Sequence, residues 1–232
     1  MSQQRVAVVT GSTGALGRAL LPRLAARDYL IAGTYLIPEE VAELEAQFHV
    51  DEDRMLLRRV DVTDGEAVSN FMKETAARFG GIHVLCALVG GWAGGRDVEE
   101  TDDVRFERML DLNLRSAFYT VRAAIPHLKA AGWGRIVLAG SRAGLETPAG
   151  QAAYNIAKAG VISLTRSVAQ ELDGTGVTAN AILPTVIDTP ATRATMPYAD
   201  YVDWPQPEAI AAIIDFLVSE ESGVLNGALL PI

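Results

Sequence analysis

Residues 6–20 read VAVVTGSTGALGRAL, and this stretch decides the fold. The apolar run Val6 to Val9 ends in Thr10-Gly11. Gly14 and Gly17 follow, and a helix pattern starts with Leu16, Leu20, Leu21 and Leu24. That is a strand, a glycine turn and a helix. Glycine permits positive φ and lets a ligand come close to the backbone. A helix N-terminus offers unpaired N–H groups and a partial positive charge, which suit a pyrophosphate. A glycine triplet alone is also an ordinary tight turn. Directly after the first strand of an α/β chain it becomes a dinucleotide-binding signal.

Working outward, strand-like and helix-like segments alternate. Strands are expected near 5–10, 29–35, 55–60, 82–89, 134–140, 176–183 and 227–231. Helices are expected near 15–27, 38–48, 64–79, 101–131 (in two segments), 151–173 and 207–219. Such alternation predicts an α/β fold: a single Rossmann-type, doubly wound parallel sheet of about seven strands with helices on both faces. One domain is expected over 1–232, with no internal repeat, low-complexity stretch or linker. Residues 184–206, rich in Pro, Thr and Ala, read as the only long irregular stretch. A loop of that length in a compact domain is often functional, so it is expected to cover the site as a substrate loop.

The composition suits a soluble enzyme of 232 residues, long enough to bury an extensive core. A net charge of −9 argues against a nucleic-acid partner, whose footprint on a protein is basic. Cys86 is the only cysteine and lies in the apolar run IHVLCALVG, so it reads as a core thiol. His49, His83 and His127 show no metal-ligand spacing, and no metal is expected. No signal-peptide pattern precedes the first strand, and no apolar run reaches the ~18 residues of a membrane span. A cytoplasmic protein is the resulting expectation.

A second cluster carries the chemistry. Tyr154 and Lys158 stand four residues apart in AGQAAYNIAKAGVISLTRSVAQEL, on one helix face. An ammonium beside a phenol favours the phenolate, so Lys158 is expected to lower the pKa of Tyr154 and fit it for proton transfer. Ser141 ends the buried-strand pattern GRIVLAGS, thirteen residues before the tyrosine. Its hydroxyl could hold a substrate oxygen beside the phenol. Tyr-x-x-x-Lys alone is common in helices; the glycine turn at the start of the chain gives it weight.

Taken in order, these motifs resemble the short-chain dehydrogenase/reductase family over essentially the whole chain. TGSTGALG is similar to the family's cofactor turn, with Gly11, Ser12, Thr13, Gly14, Leu16 and Gly17 as cofactor contacts. The segment DVTD, with Asp61 and Val62, resembles the part that meets adenine, where Asp61 would pair with the amino group. Gly90 ends the fourth strand in the place of the family's Asn-Asn-Ala-Gly. Asn113 in LDLNLRSAF matches the family asparagine, which implies a water linking Lys158 to solvent. Ser141, Tyr154 and Lys158 match the catalytic serine, tyrosine and lysine, and Lys158 would also bind the nicotinamide ribose. NAILPTVIDTP resembles the segment along the nicotinamide, with Pro184, Thr185, Ile187 and Thr189, the last on the carboxamide.

Some positions depart from the pattern. Gly14 stands one place earlier than the usual middle glycine, and Ala15 takes its position. Ala87-Leu88-Val89-Gly90 lacks the strand-linking asparagine amide. Thr185, not glycine, follows Pro184. With GGWAGG at 90–95, two of these departures are similar to dihydropteridine reductases, in which case Trp92 could stack on a flat substrate; otherwise it is a wall of the pocket mouth. Ser141 counts against that branch, whose members usually lack the serine. A reductase of acyl-carrier-bound substrates would need a basic docking patch, which this acidic chain does not support.

The resemblance implies an NAD(P)-dependent oxidoreductase that interconverts a carbonyl and an alcohol. A pterin- or quinone-type reductase is one alternative, and a non-catalytic dinucleotide-binding scaffold or sensor is another. For the cofactor, Thr34, Tyr35 and Leu36 stand at the end of the second strand, with neither the acid that binds a ribose 2′-hydroxyl nor the base that binds a 2′-phosphate. Arg18 is the only cation noted nearby, and Glu39 and Glu40 would repel a phosphate. The hydroxyls of Ser12, Thr13, Thr34 and Tyr35 could donate to one. NAD(H) is favoured, and NADP(H) stays open. Apolar and small residues at Ala117, Ala123, Ala124, Ala157, Ala159, Ile162 and Ala169 cover a wide arc of two helix patterns. They lead to the expectation of a homodimer or homotetramer.

Overall fold

The computed structural model describes residues 4–51 and 53–232; residue 52 and the first three residues of the expected 1–232 domain lie outside it. Seven strands form one sheet: β1 (Val6–Thr10), β2 (Leu30–Tyr35), β3 (Met55–Arg59), β4 (Val84–Ala87), β5 (Gly134–Ala139), β6 (Val177–Leu183) and β7 (Leu229–Pro231). Their order is β3-β2-β1-β4-β5-β6-β7, and every pairing is parallel. The central strands β1, β4 and β6 are buried along their whole lengths. This is why β1 and β4 read as apolar runs without alternation: helices cover both faces of a parallel sheet.

The helices are α1 (Ala15–Ala26), α2 (Glu39–Gln47), α3 (Gly65–Phe79), α4 (Asp103–Leu110), α5 (Ser116–Ala131), α6 (Ala143–Glu146), α7 (Ala152–Glu171), α8 (Pro190–Thr195) and α9 (Pro207–Leu217). On one face α1, α2 and α9 bury Leu20, Leu21, Leu24, Leu44, Ile214 and Leu217. On the other, α3, α5 and α7 bury Phe71, Met72, Val121, Leu128, Val161 and Val168. Asp64 starts α3 by accepting the amides of Glu66 and Ala67, and Gly80, at φ 84°, ends it in the left-handed region.

Strand order reverses between β1 and β4, so the loops leaving their carboxyl ends diverge and open a crevice, where ligands bind in sheets of this kind. Thr10 closes the base of that crevice. Its Oγ1 accepts the amide of Leu88 at 3.2 Å, tying β1 to the chain beyond β4. A threonine thus makes the link that the missing asparagine amide would have made.

Two features differ from the sequence expectation. The stretch 184–206 is not wholly irregular, because α8 lies within it. Thr189 caps α8, Pro190 opens it, and Thr189 and Thr192 bond reciprocally across its first turn. Between α4 and α5 the chain does not break but widens into a π-turn at Asp111–Arg115, which carries Asn113. Such turns often sit at functional sites. His83 is a core residue whose Nδ1 accepts the amide of Val6 at 3.1 Å. Cys86 is wholly buried, and burial pushes its thiol far up.

Candidate active site

The glycine turn is held from behind. Gly11 has φ 69° and gives its amide to Thr34 Oγ1 at 3.2 Å; the amide and hydroxyl of Ser12 both donate to the Thr34 carbonyl at 2.9 Å. A Cβ at Gly17 would stand 2.4 Å from the Gly11 carbonyl oxygen and 2.5 Å from that of Ser12, so the helix meets the turn only because this residue has no side chain. Gly14 is the N-cap of α1, no side chain caps that helix, and no acid sits in its first turn. Its leading N–H groups thus suit a pyrophosphate. The residues present fit a dinucleotide.

Beside the turn lies a cavity of about 230 Å³, lined by Gly11, Thr13, Tyr35, Glu40, Asp61 and Val62 among others. Asp61 Oδ1 accepts the amide and hydroxyl of Thr63 at 2.9 and 2.6 Å. Thr13 Oγ1 donates to Glu40 Oε2 at 2.6 Å. The expectation that the hydroxyls of Ser12 and Thr13 could donate to a phosphate is therefore corrected, since both already donate within the protein. Arg18 is paired with Glu43 at 2.7 Å. A cation that the sequence reading missed, Arg59, gives its Nε to the Leu36 carbonyl at 3.1 Å. The register of β3 on β2 sets Arg59 beside Tyr35, and only the sheet reveals this.

Across the crevice, a cavity of about 540 Å³ brings together Gly90, Trp92, Ser141, Tyr154, Lys158, Pro184, Thr185, Ile187 and Thr189, with Leu16 from α1. Ser141 comes from the end of β5, Tyr154 and Lys158 from one face of α7, and the proline segment from the end of β6. Burial raises the Tyr154 pKa, and the Ser141 hydroxyl opposes that rise. The expected lowering by Lys158 is absent in this structure. The lysine Nζ lies 5.8 Å from the phenol ring centroid and donates to the Ala139 carbonyl at 2.8 Å. The physical reason is the site's burial, which disfavours charge on both side chains.

Lys158 is 4 % exposed, and burial lowers its pKa from 10.5 to about 8. The unfolded chain keeps this proton up to about pH 10, whereas the folded chain releases it near pH 8. Between those limits the unfolded state binds more protons, so stability rises with pH. Below pH 8 the buried charge costs on the order of 3 kcal/mol. Lys158→Met should therefore raise the melting temperature at pH 7, with a gain that shrinks towards pH 10. Thermal melts at both values check this, and a variant that melts lower at pH 7 would refute it.

Asn113 is buried, and its amide clamps the next loop. Oδ1 accepts the Gly91 amide at 3.1 Å, while Nδ2 donates to the carbonyls of Gly91 and Met109 at 2.9 and 3.1 Å. Both N–H groups of the side chain are thereby engaged. A Cβ at Gly90 would lie 2.9 Å from Asn113 Oδ1 and 3.1 Å from Lys158 Nζ, so this glycine lets the loop pass directly over both.

Trp92 is half exposed at the pocket mouth. Its Nε1 donates to Gln151 Oε1 at 2.8 Å, Gln151 Nε2 to Asn155 Oδ1 at 3.0 Å, and Asn155 Nδ2 to the Pro148 carbonyl at 2.8 Å. Opposite, the Asp188 carboxylate accepts Arg193 Nε and Nη2 at 2.5 and 2.6 Å and also bonds Gln206, pinning α8 to the start of α9. The Thr189 hydroxyl serves as the cap of α8. Gln151, Arg142 and Glu146 were missed as pocket residues. The first lies one turn before Tyr154, which is a usable signal; Arg142 caps and Glu146 ends the short helix α6, which left no periodic pattern.

The fold and this site define a Rossmann-type, nicotinamide-dependent oxidoreductase. A family model described as short chain dehydrogenase matches residues 5–198, and the chain belongs to that family. It is 33 % identical over 239 residues to the 2-(R)-hydroxypropyl-CoM dehydrogenase of Xanthobacter autotrophicus, covering 97 % of this chain and 96 % of that protein. It is also 33 % identical over 225 residues to the 2-dehydro-3-deoxy-L-rhamnonate dehydrogenase (NAD(+)) of a Sphingomonas species, covering 94 % and 89 %. The crystal structure of levodione reductase superposes with a TM-score of 0.91 at 27 % identity, covering 98 % of this chain and 95 % of that one. The protein is an NAD(P)-dependent oxidoreductase acting on a carbonyl/alcohol pair.

Proposed function

We propose that the reaction runs in the cavity between β4, β5 and the proline segment, with Tyr154 as the acid/base group. The observation that carries this reading is the convergence of Ser141, Tyr154 and Lys158 on one cavity wall beside the crevice. When bound, the nicotinamide supplies or receives the hydride. Tyr154 donates its proton to the carbonyl oxygen, and the Ser141 hydroxyl bonds the same oxygen as charge develops. Lys158, with a pKa near 8, exchanges protons near neutral pH and restores the phenol. Asn113 positions the Gly90-Gly91 backbone over Lys158. One dinucleotide-binding domain over 1–232 carries these parts, with 184–206 as the substrate loop. The test is cofactor oxidation across a panel of ketones, 3-oxoacyl thioesters, quinonoid pterins and quinones. A response confined to pterins or quinones would overturn the reading. Trp92, tied to Gln151, serves as a wall, and the pterin-like and scaffold readings are not favoured.

NAD(H) is the proposed cofactor. The second strand brings no acid, but α2 places the Glu40 carboxylate against Thr13 in the nucleotide cavity. There it can accept a ribose 2′-hydroxyl and repel a 2′-phosphate. Calorimetry should show NADH binding at least about tenfold tighter than NADPH, and Glu40→Gln should cut that ratio. The reverse preference would point to Arg59 as a phosphate ligand.

A homo-oligomer and a cytoplasmic setting complete the reading. Ala117, Ala124, Ala157, Ile162 and Ala169 are buried by the chain itself, so the surface left for a partner is carried instead by Val104, Phe118 and Ile156, each at least 45 % exposed. Light scattering at micromolar concentration should give a dimer or tetramer, and a monomer would refute this. No helix among the described residues is long and apolar enough to cross a membrane.

A further inference from the structure

We propose that the catalytic cavity selects uncharged substrates, and that the Arg142–Glu146 pair makes it do so; this rests on the assignment of that cavity as the reaction site. Three charged side chains line it: Arg142, Glu146 and Lys158. Lys158 is buried, with Nζ on the Ala139 carbonyl. Arg142, next in sequence to Ser141, gives both Nε and Nη2 to Glu146 Oε1, at 2.8 and 2.5 Å. The guanidinium that would otherwise greet an anion beside the reacting carbonyl is thus neutralised one helical turn away.

Most of the rest of the wall offers an anion little, the Thr185 hydroxyl being the exception. Ala143, Pro148, Val186, Ile187 and Met196 are apolar. The Gln151 amide is engaged with Trp92 and Asn155, and the Thr195 hydroxyl with the Ala191 carbonyl at 2.8 Å. A carboxylated substrate would have to displace Glu146 from Arg142 or lie unpaired beside it, and an unpaired charge in apolar surroundings is costly. The net charge of −9 also works against the approach of anions. A neutral ketone meets the apolar walls and the hydroxyls of Ser141, Tyr154 and Thr185.

The test uses a matched pair, 4-oxocyclohexanecarboxamide and 4-oxocyclohexanecarboxylate, titrated by calorimetry into the protein saturated with NAD⁺. A ketone with the oxidised cofactor cannot react, so binding is read without turnover. The amide should bind at least about tenfold tighter. Glu146→Gln frees Arg142 and should move the ratio at least about fivefold towards the carboxylate, and Glu146→Gln with Arg142→Gln should lose that gain. Equal or tighter binding of the carboxylate by the unaltered protein overturns the proposal. So does an unmoved ratio in a Glu146→Gln variant whose circular dichroism is native. Turnover with NADH, measured separately, addresses the reaction itself. Amide-selective binding without turnover supports the charge selection while removing the oxidoreductase reading, and turnover with carboxylate-selective binding does the reverse.

Discussion

Replacing Tyr154 by Phe should lower turnover by about 10²–10⁴-fold, the range that a positioned acid/base group contributes. The ring stays, so the packing of α7 and the affinity for cofactor should change little. Burial has already raised the phenol's pKa, so Tyr154 holds its proton at neutral pH and is poised to donate it in the reducing direction. In oxidation the same group must first lose that proton, so the alcohol-to-carbonyl rate should climb with pH in the unaltered protein. The variant should lose that climb along with its rate. Steady-state rates in both directions from pH 6 to 10, with cofactor binding by calorimetry, test both statements. A variant that turns over a good substrate at near the original rate would place the proton transfer elsewhere.

Gly17→Ala should damage both stability and cofactor binding. The added methyl would stand 2.4 and 2.5 Å from two backbone carbonyl oxygens, and neither can swing aside as a side chain tip could. The turn that carries them is fastened to Thr34 by three hydrogen bonds. Relief requires α1 to move away from the turn, which costs about 1–3 kcal/mol. At about 2–4 °C per kcal/mol for a domain of this size, the melting temperature should fall visibly. The same displacement would carry the helix N-terminus away from where a bound pyrophosphate would meet it, so cofactor affinity should drop at least about tenfold. Gly14→Ala is the control for stability: its methyl meets only the Gly11 oxygen, at 3.3 Å, and the residue has φ −70°, open to any side chain. Equal melting temperatures for the two variants would refute the packing argument.

Much of this was legible in the chain because the signals are local. A strand buried on both faces is largely apolar, so β1 and β4 announced themselves. A turn that must pass close to a helix end requires glycine at fixed spacing, and Gly11 and Gly17 met that requirement. Tyr154 and Lys158 were read together because a helix fixes which residues share a face. Short elements were lost, since α6 has four residues and α8 six, too few for any period to show.

The sequence by itself determined the sheet class, the glycine turn and the identity of Ser141, Tyr154 and Lys158, because each depends on spacing along one element or on one residue's covalent character. Only the tertiary structure decided what surrounds them. Glu40 reaches the glycine turn from another helix, Arg59 reaches β2 across a strand register, and Asn113 clamps a loop twenty-two residues away. Whether Lys158 lies beside a charge or a carbonyl depends on β5, nineteen residues earlier in the chain. Such contacts follow from how elements pack in space, and a pKa or a pocket's net charge is a sum over those neighbours, which no single stretch of sequence contains.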